Sequence, residues 1–377
     1  MTAPNASDST PFTDRYAAFL AQLEPEETLQ VIELLQHDLS AELVWSETLA
    51  RQEGELLARI AICSDYAELK QIHDQLNALE IDRFLRRLSV RALHESCTHY
   101  RDLLAGRALA LVAEEMVAKG TPLSLPYALV SMGSDGREEQ TLITDQDYLV
   151  VYADGGGEVA DLLFADFSAL LVERLAEIGF NKCTGGIMPS NPTWRGSYSQ
   201  WRRRLLAIVR YEFEDYAKNL MDLIVLSDAR YVAGERQLAE DLTATIRSFQ
   251  QDYFQVLWGM AKAATEMKLA LGFLHRLWTE GSGAHKGEFN LKLLAWAPLV
   301  MNIRILAINQ GIPATNTVRR IELLEQERSL SHQMAKELSA AYDILTRHRI
   351  LLQLRVIKGS QKDSYHLNPL DLSADER

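Results

Sequence analysis

At 377 residues, of which 47% are apolar, the chain is too long for one ordinary core and has the composition of a soluble globular protein built from two or three domains. Its formal charge of −13 argues against DNA as a partner, because duplex binding depends on clustered Lys and Arg neutralising phosphates. No apolar run reaches the ~20 residues needed to cross a membrane, and Met1–Asp14 lacks the basic start and apolar centre of a signal peptide. The three cysteines, Cys63, Cys97 and Cys183, are scattered and odd in number, so reduced thiols and a cytoplasmic location are expected.

Residues 1–14 read as a disordered leader, and 15–118 as an N-terminal helical domain. Pro25 fits the first turn of a helix, with Glu26 and Glu27 behind it where acids favour the dipole. Leu29, Ile32, Leu35 and Leu39 recur at helical spacing, as do Leu56, Leu57 and Ile60, and Leu69, Ile72, Leu76 and Leu79. His94, Cys97 and His99 invite a zinc reading. Three potential ligands in one amphipathic run, with no matching fourth elsewhere, are read instead as surface and core residues. No sensory module is recognisable here, so the helices are expected to serve regulation or dimerisation, with a homodimer formed through them.

The stretch Tyr127–Tyr152 carries the chemistry. Tyr127 to Met132 is short and apolar after Pro126, which predicts a buried strand, and Gly133 breaks it. A strand ending in Gly-Ser lets the backbone approach a ligand closely, so free N–H groups and the Ser134 hydroxyl can hold phosphate oxygens. Asp145 and Asp147 stand two apart at the entrance to a second apolar run, Tyr148–Tyr152, and on a strand such residues share a face. Two carboxylates on one face repel unless a cation sits between them, and hard oxygen ligands suit Mg²⁺ carrying a nucleoside triphosphate. With two ions, such a site runs an in-line nucleotidyl or phosphoryl transfer. The competing reading is an ordinary capped loop at a strand mouth.

Asp154–Gly157 predicts a turn, and Val159–Ile178 a helix that Gly179 ends. Phe180–Trp194, rich in Gly, Pro and Asn, predicts strand plus loop across the same face. The run Arg202–Arg204 reads either as a clamp on phosphate or as a solvated face balancing nearby acids, and the second reading is preferred. From Glu240 the chain returns to helix: Leu257, Met260, Ala264, Met267 and Leu271 make one stripe, and Leu293–Ile308 another. Lys292 and Arg304 are cations in apolar company, to be met by an acid or by a nucleotide or protein ligand. Asn316 and Thr317 can cap the helix that holds Arg319 and Arg320.

The motif Gly133-Ser134-x-Gly136-Arg137, followed by Glu139-Gln140-Thr141 and Thr144-Asp145-Gln146-Asp147, resembles the bacterial putative nucleotidyltransferases of unknown function. These are similar to the protein-PII uridylyltransferases and, more distantly, to the DNA polymerase beta superfamily. The resemblance extends to Gly185-Gly186-x-Met188-x-Ser190-Asn191-Pro192-x-Trp194-Arg195 and to Asp228-x-Arg230-x-Val232-x-Gly234. Leu271–Arg320 resembles the substrate-binding partner domain of that family. It implies a predominantly helical α+β chain: a small polymerase-beta-like α/β domain at 119–236, flanked by helical domains at 15–118 and 237–377. It further implies Asp145 and Asp147 as catalytic metal ligands for Mg²⁺, two ions in all, with Gly133, Ser134, Gly136 and Arg137 on the phosphates. The donor would be ATP or UTP, and the acceptor a protein side chain or small molecule in signalling. A catalytically silent nucleotide- or partner-binding regulator is the alternative. For a third carboxylate, Asp222 and Asp228 are candidates only, Asp228 equally being a buried partner of Arg230.

Overall fold

The structure is a computed structural model describing residues 24–210, 216–271, 277–361 and 363–373, so the expected leader 1–14 lies outside the described residues. The chain divides into two compact units, Met1–Leu56 and Leu57–Arg377. Helix α1 (Pro25–Ile62) begins in the first and is followed by α2 (Tyr66–Arg87) and α3 (Val90–Ala118). Caps set these boundaries: the Asp65 side chain accepts from Ala67 N–H at 2.9 Å and Ser89 Oγ from Ala92 N–H at 3.3 Å. Each satisfies one of the orphan donors of a first turn.

A four-stranded mixed sheet stands at the centre of the second unit in the order β5 (Arg195–Ser197), β3 (Tyr148–Tyr152), β1 (Tyr127–Ser131), β6 (Arg230–Gly234). Strands β1 and β3 are antiparallel in a register that puts Ser131 opposite Tyr148, and a bulge between Leu129 and Val130 shifts the β1–β6 pairing. The predicted strand is therefore present, and it is buried on both faces because helices cover both. On one face Ala128, Val130, Leu149 and Val151 pack with Trp201, Leu205, Leu223 and Leu242. On the other, Tyr152 stacks on Phe164 at 4.0 Å. Burying each such side chain contributes about 1.5–3 kcal/mol.

Phe164 belongs to α5 (Gly157–Ile178), which ends at Gly179 with φ +113, the left-handed stop expected from sequence. Then come α6 (Tyr198–Val209), opened by a Ser197–Gln200 capping box, α7 (Tyr216–Leu226), α8 (Arg236–Asp252) and α9 (Phe254–Thr265). Helix α9 stops before Met267 and Leu271, short of the predicted stripe, and Leu271 is exposed. A π-helical turn, Lys292–Trp296, leads into α10 (Ala297–Asn309), followed by α11 (Thr317–Gln326) and α12 (His332–Ile357). Asn316 caps α11 as expected, its Oδ1 accepting from Arg319 N–H at 3.0 Å. Among the described residues one 18-residue segment, Lys292–Asn309, is long and apolar enough to cross a membrane, and half of it is buried inside the chain. All three cysteines are free thiols.

Candidate functional site

The two halves of the sequence motif meet at the edge of β1. Met132 N–H donates to Asp147 O at 2.8 Å, which draws the chain after β1 against the chain before β3. Gly133 follows with φ +60, and a Cβ there would stand 2.5 Å from Asp147 Oδ2. Only glycine leaves room for that carboxylate, so the Gly133–Ser134 turn and Asp147 form one concave edge.

Asp145 and Asp147 do not lie on one unbroken strand as predicted. Asp145 belongs to β2 (Asp145–Gln146), which pairs in parallel with β4 (Asn181–Lys182), and Asp147 falls between β2 and β3. The reason is Gln146. Its side chain is fully buried, donating to Val172 O and Phe180 O at 3.1 Å each, and this pins the chain to α5 before it joins the sheet. With Gln146 turned inward, the period-2 rule still turns its two neighbours the other way.

Neither carboxylate is ion-paired, and both are held above the ordinary range. Burial raises the Asp147 carboxyl to about 6, with the charges of Asp145 and Asp135 adding to it, against the opposing Cys183 thiol and Arg137. Burial also raises Asp145, opposed by Lys292 and an Asn181 hydrogen bond. Adjacent anions that are partly desolvated and repel each other are a donor set that a hard divalent cation relieves, so these residues fit Mg²⁺.

One cation of the C-terminal region, Lys292, acts on the carboxylates, and a second, Arg349, neighbours it. Lys292, on the π-helical turn, is lowered by burial and by Arg349, while Asp145, Asp147 and Cys183 act the other way. Its Nζ stands 5.0 Å over the Tyr365 ring. Arg349 of α12 lies 4.0 Å over the Trp296 ring, and burial lowers it to about 10. The sequence marked Lys292 as an embedded cation but gave no sign of Arg349, whose place depends on the packing of α12.

Gly136 and Arg137, expected on the phosphates, are used elsewhere. A Cβ on Gly136 would lie 2.0 Å from Asp228 O, so this glycine permits a backbone crossing. The Arg137 guanidinium is buried between Glu139 Oε2 at 2.8 Å and Asp228 Oδ2 at 2.6 Å. Asp228 also accepts from Arg304 Nε at 3.1 Å and Nη2 at 2.5 Å, and from Arg320 Nη1 at 3.0 Å. Burial opposes its ionisation, but these three arginines hold it far below the usual carboxylate range. Glu139 Oε1 accepts from Thr317 N–H at 2.7 Å, and Asn316 Nδ2 donates to Arg137 O at 3.1 Å. The second half of the motif thus anchors the C-terminal helices.

The alternative pairing of Asp228 with Arg230 is corrected. Asp228 sits in the turn before β6, so the shared-face rule does not bind the two residues. Arg230 faces α3 instead, reaching Asp102 at 2.7 and 2.9 Å and Asp135 Oδ1 at 3.0 Å. Asp222 lies on α7, where its charge acts on Arg204. Arg204 and Arg195 spend their donors on the 189–195 segment: Arg204 on Thr193 O and on Pro192 O at 3.1 Å, Arg195 on Ser190 O at 2.7 Å. Arg202 and Arg203 are exposed, in keeping with the solvated face. The His94, Cys97 and His99 side chains diverge, His94 Nδ1 meeting Gln140 O at 2.8 Å while His99 is exposed.

Residues 74–214 match the family described as putative nucleotidyltransferase, and residues 254–377 match the family described as putative nucleotidyltransferase substrate binding domain. No curated protein matches the chain.

Proposed function

Because the chain belongs to the putative nucleotidyltransferase family, carrying both its nucleotidyltransferase and its substrate binding domains, we propose that it transfers a nucleoside monophosphate from a nucleoside triphosphate to an acceptor. The observation that carries this reading is the Asp147 carboxylate set against Gly133, without an ion pair and raised by burial to about 6. Asp145 and Asp147 would hold Mg²⁺, in two ions. The metal, when bound, supplies charge neutralisation on the phosphates and a lowered barrier to in-line attack.

This chain's own residues supply the remainder. The Gly133–Ser134 turn gives backbone N–H groups and a hydroxyl to the phosphate tail. Lys292, whose charge acts on Asp145 and Asp147, would make a charge-assisted contact to the tail, with Arg349 beside it as a second cation. Positioning donor and acceptor against each other supplies much of the rate in such transfers, and that task falls to the C-terminal helices that carry both cations. The donor is ATP or UTP and the acceptor a protein side chain or small molecule, with a cytoplasmic signalling role following from a protein acceptor.

The test is incubation of the full chain with each labelled triphosphate, Mg²⁺ and a cell lysate. Asp145→Asn and Asp147→Asn should each abolish label transfer while leaving the circular dichroism spectrum unchanged. Full activity in both variants would remove the site assignment. No triphosphate binding by the intact chain at millimolar Mg²⁺ would remove the reaction.

A further inference from the structure

A second constellation lies in the C-terminal helical region, built from residues other than the carboxylate pair. Strands β7 (Phe289–Asn290) and β8 (His366–Leu367) pair antiparallel, Asn290 opposite His366, and bring the loop before β7 against the loop before β8. Two short motifs come together there, His285-x-x-Glu288 and Asp363-x-x-His366. His285 Nε2 lies 3.3 Å from Asp363 Oδ2, and His366 Nδ1 lies 3.1 Å from Asp363 Oδ1. A nitrogen of each imidazole and an oxygen of the carboxylate all fall within 4.8 Å of one another.

From this geometry we infer that His285, Asp363 and His366 bind a divalent transition-metal ion of the zinc class, with Glu288 orienting His285. Both nitrogens of His285 face carboxylates, since Nδ1 is 2.9 Å from Glu288 Oε2. A neutral imidazole carries one N–H and donates to only one of them, so the second contact takes either a second proton or a cation. With a metal on Nε2, Nδ1–H donates to Glu288, and the Nε2 lone pair and Asp363 both point at the cation. This is the carboxylate–imidazole–metal relay that fixes ring orientation in metal sites. His285 Nε2 and His366 Nδ1 meet different oxygens of Asp363, 3.3 and 3.1 Å away, so the carboxylate stands between the two imidazoles and can share one cation with both once the rings turn. Two imidazoles and a carboxylate select zinc, cobalt or nickel over Mg²⁺, which takes oxygen.

Asp363 is prepared for the task. Its Oδ1 is fixed in place by the backbone, accepting from Tyr365 N–H at 2.9 Å and from His366 N–H at 3.2 Å. The two rings are stacked, with centroids 3.6 Å apart and planes 11° from parallel. A cation in both ring planes opens that stack, and this movement is the signature to look for. The site ties the 281–288 loop to the segment carrying Tyr365, the residue beneath Lys292.

The test uses the full chain, stripped with chelator and titrated with Co²⁺ and Zn²⁺. One equivalent of Co²⁺ should give visible d–d bands that Zn²⁺ displaces, and Zn²⁺ should shift the ring signals of two of the nine histidines in an NMR spectrum. The Asp145→Asn/Asp147→Asn variant should keep both signatures, which separates this site from the nucleotide site. His285→Ala/His366→Ala should bind at least tenfold more weakly, and Glu288→Gln by a smaller factor. Absence of the bands in the native chain, or equal affinity in the histidine double variant, would overturn the inference. If the double variant does not fold, the count of shifted histidines in the native chain decides.

Discussion

Asp228 makes the sharpest test of what the second half of the motif does. It is fully buried and answers three guanidiniums, so Asp228→Asn leaves Arg137, Arg304 and Arg320 short of their shared anion. Breaking a buried charge cluster by removing one partner costs about 3–5 kcal/mol. Urea denaturation should show that loss with and without Mg²⁺, and Mg²⁺ affinity of the folded fraction should not change. A stable variant with weakened Mg²⁺ binding would instead make Asp228 the third metal ligand. Lys292 has the opposite profile. It faces two carboxylates without a salt bridge to either, so Lys292→Met should leave stability nearly unchanged. It should also weaken binding of a non-hydrolysable triphosphate by about 1.5–3 kcal/mol, roughly ten- to a hundredfold, the range for a hydrogen bond to a charged group. Calorimetry on native and variant chains reads the difference directly, and equal affinities would remove Lys292 from the site.

At the scale of elements, the junction of α2, α3 and α5 depends on a histidine that stays neutral. His73 Nδ1–H donates to Ile178 O at 3.0 Å, and its Nε2 accepts from Arg101 Nε at 3.3 Å, an arrangement open only to the uncharged ring. Burial, and then Arg101, lower it to about 4. Its folded value lies below the unfolded ~6.5, so between the two the unfolded chain binds a proton that the folded chain does not. Stability is therefore complete above about 6.5 and is lost as pH falls through about 4, by ~3 kcal/mol in all. Denaturation at pH 7 and pH 4.5 should show most of that difference in the native chain and little in His73→Gln. Gly179→Ala probes the same junction from α5. A Cβ there would stand 2.9 Å from His73 Nδ1, and φ +113 strains any side chain, so a loss of about 1–3 kcal/mol is expected. Gly179 was legible as a helix stop because left-handed termination is a local property. Strand β1 and the cap at Asn316 were legible for the same reason. What the pattern could not reveal is every contact between distant segments: Arg137 meeting Asp228, Glu139 capping α11 at Thr317, Lys292 facing Asp145, His285 meeting His366. A glycine or arginine in a phosphate-like motif reads the same in sequence whether its neighbour is a ligand or a backbone 92 residues away, as with Gly136 and Asp228.

For the whole molecule, the open question is what covers α1. The predicted stripe is present in the helix but remains in contact with solvent, Leu29 being 61% exposed, Leu35 43% and Leu39 67%, with Leu34, Leu43 and Val44 also exposed. A helix of 38 residues draws most of its stability from packing an apolar face, and these side chains contribute nothing to that while hydrated. A second copy offers the same stripe in self-complementary form, as a two-fold contact requires. The chain should therefore elute as a dimer at micromolar concentration, with mass measured by light scattering. Leu35→Glu/Leu39→Glu should return it to a monomer while leaving triphosphate binding at Asp145 and Asp147 intact, since the stripe belongs to the unit Met1–Leu56 and the carboxylates to Leu57–Arg377. A native chain that stays monomeric up to about 100 µM, weaker than any stable association of ~5–6 kcal/mol, would show that α1 is covered by something other than its own copy.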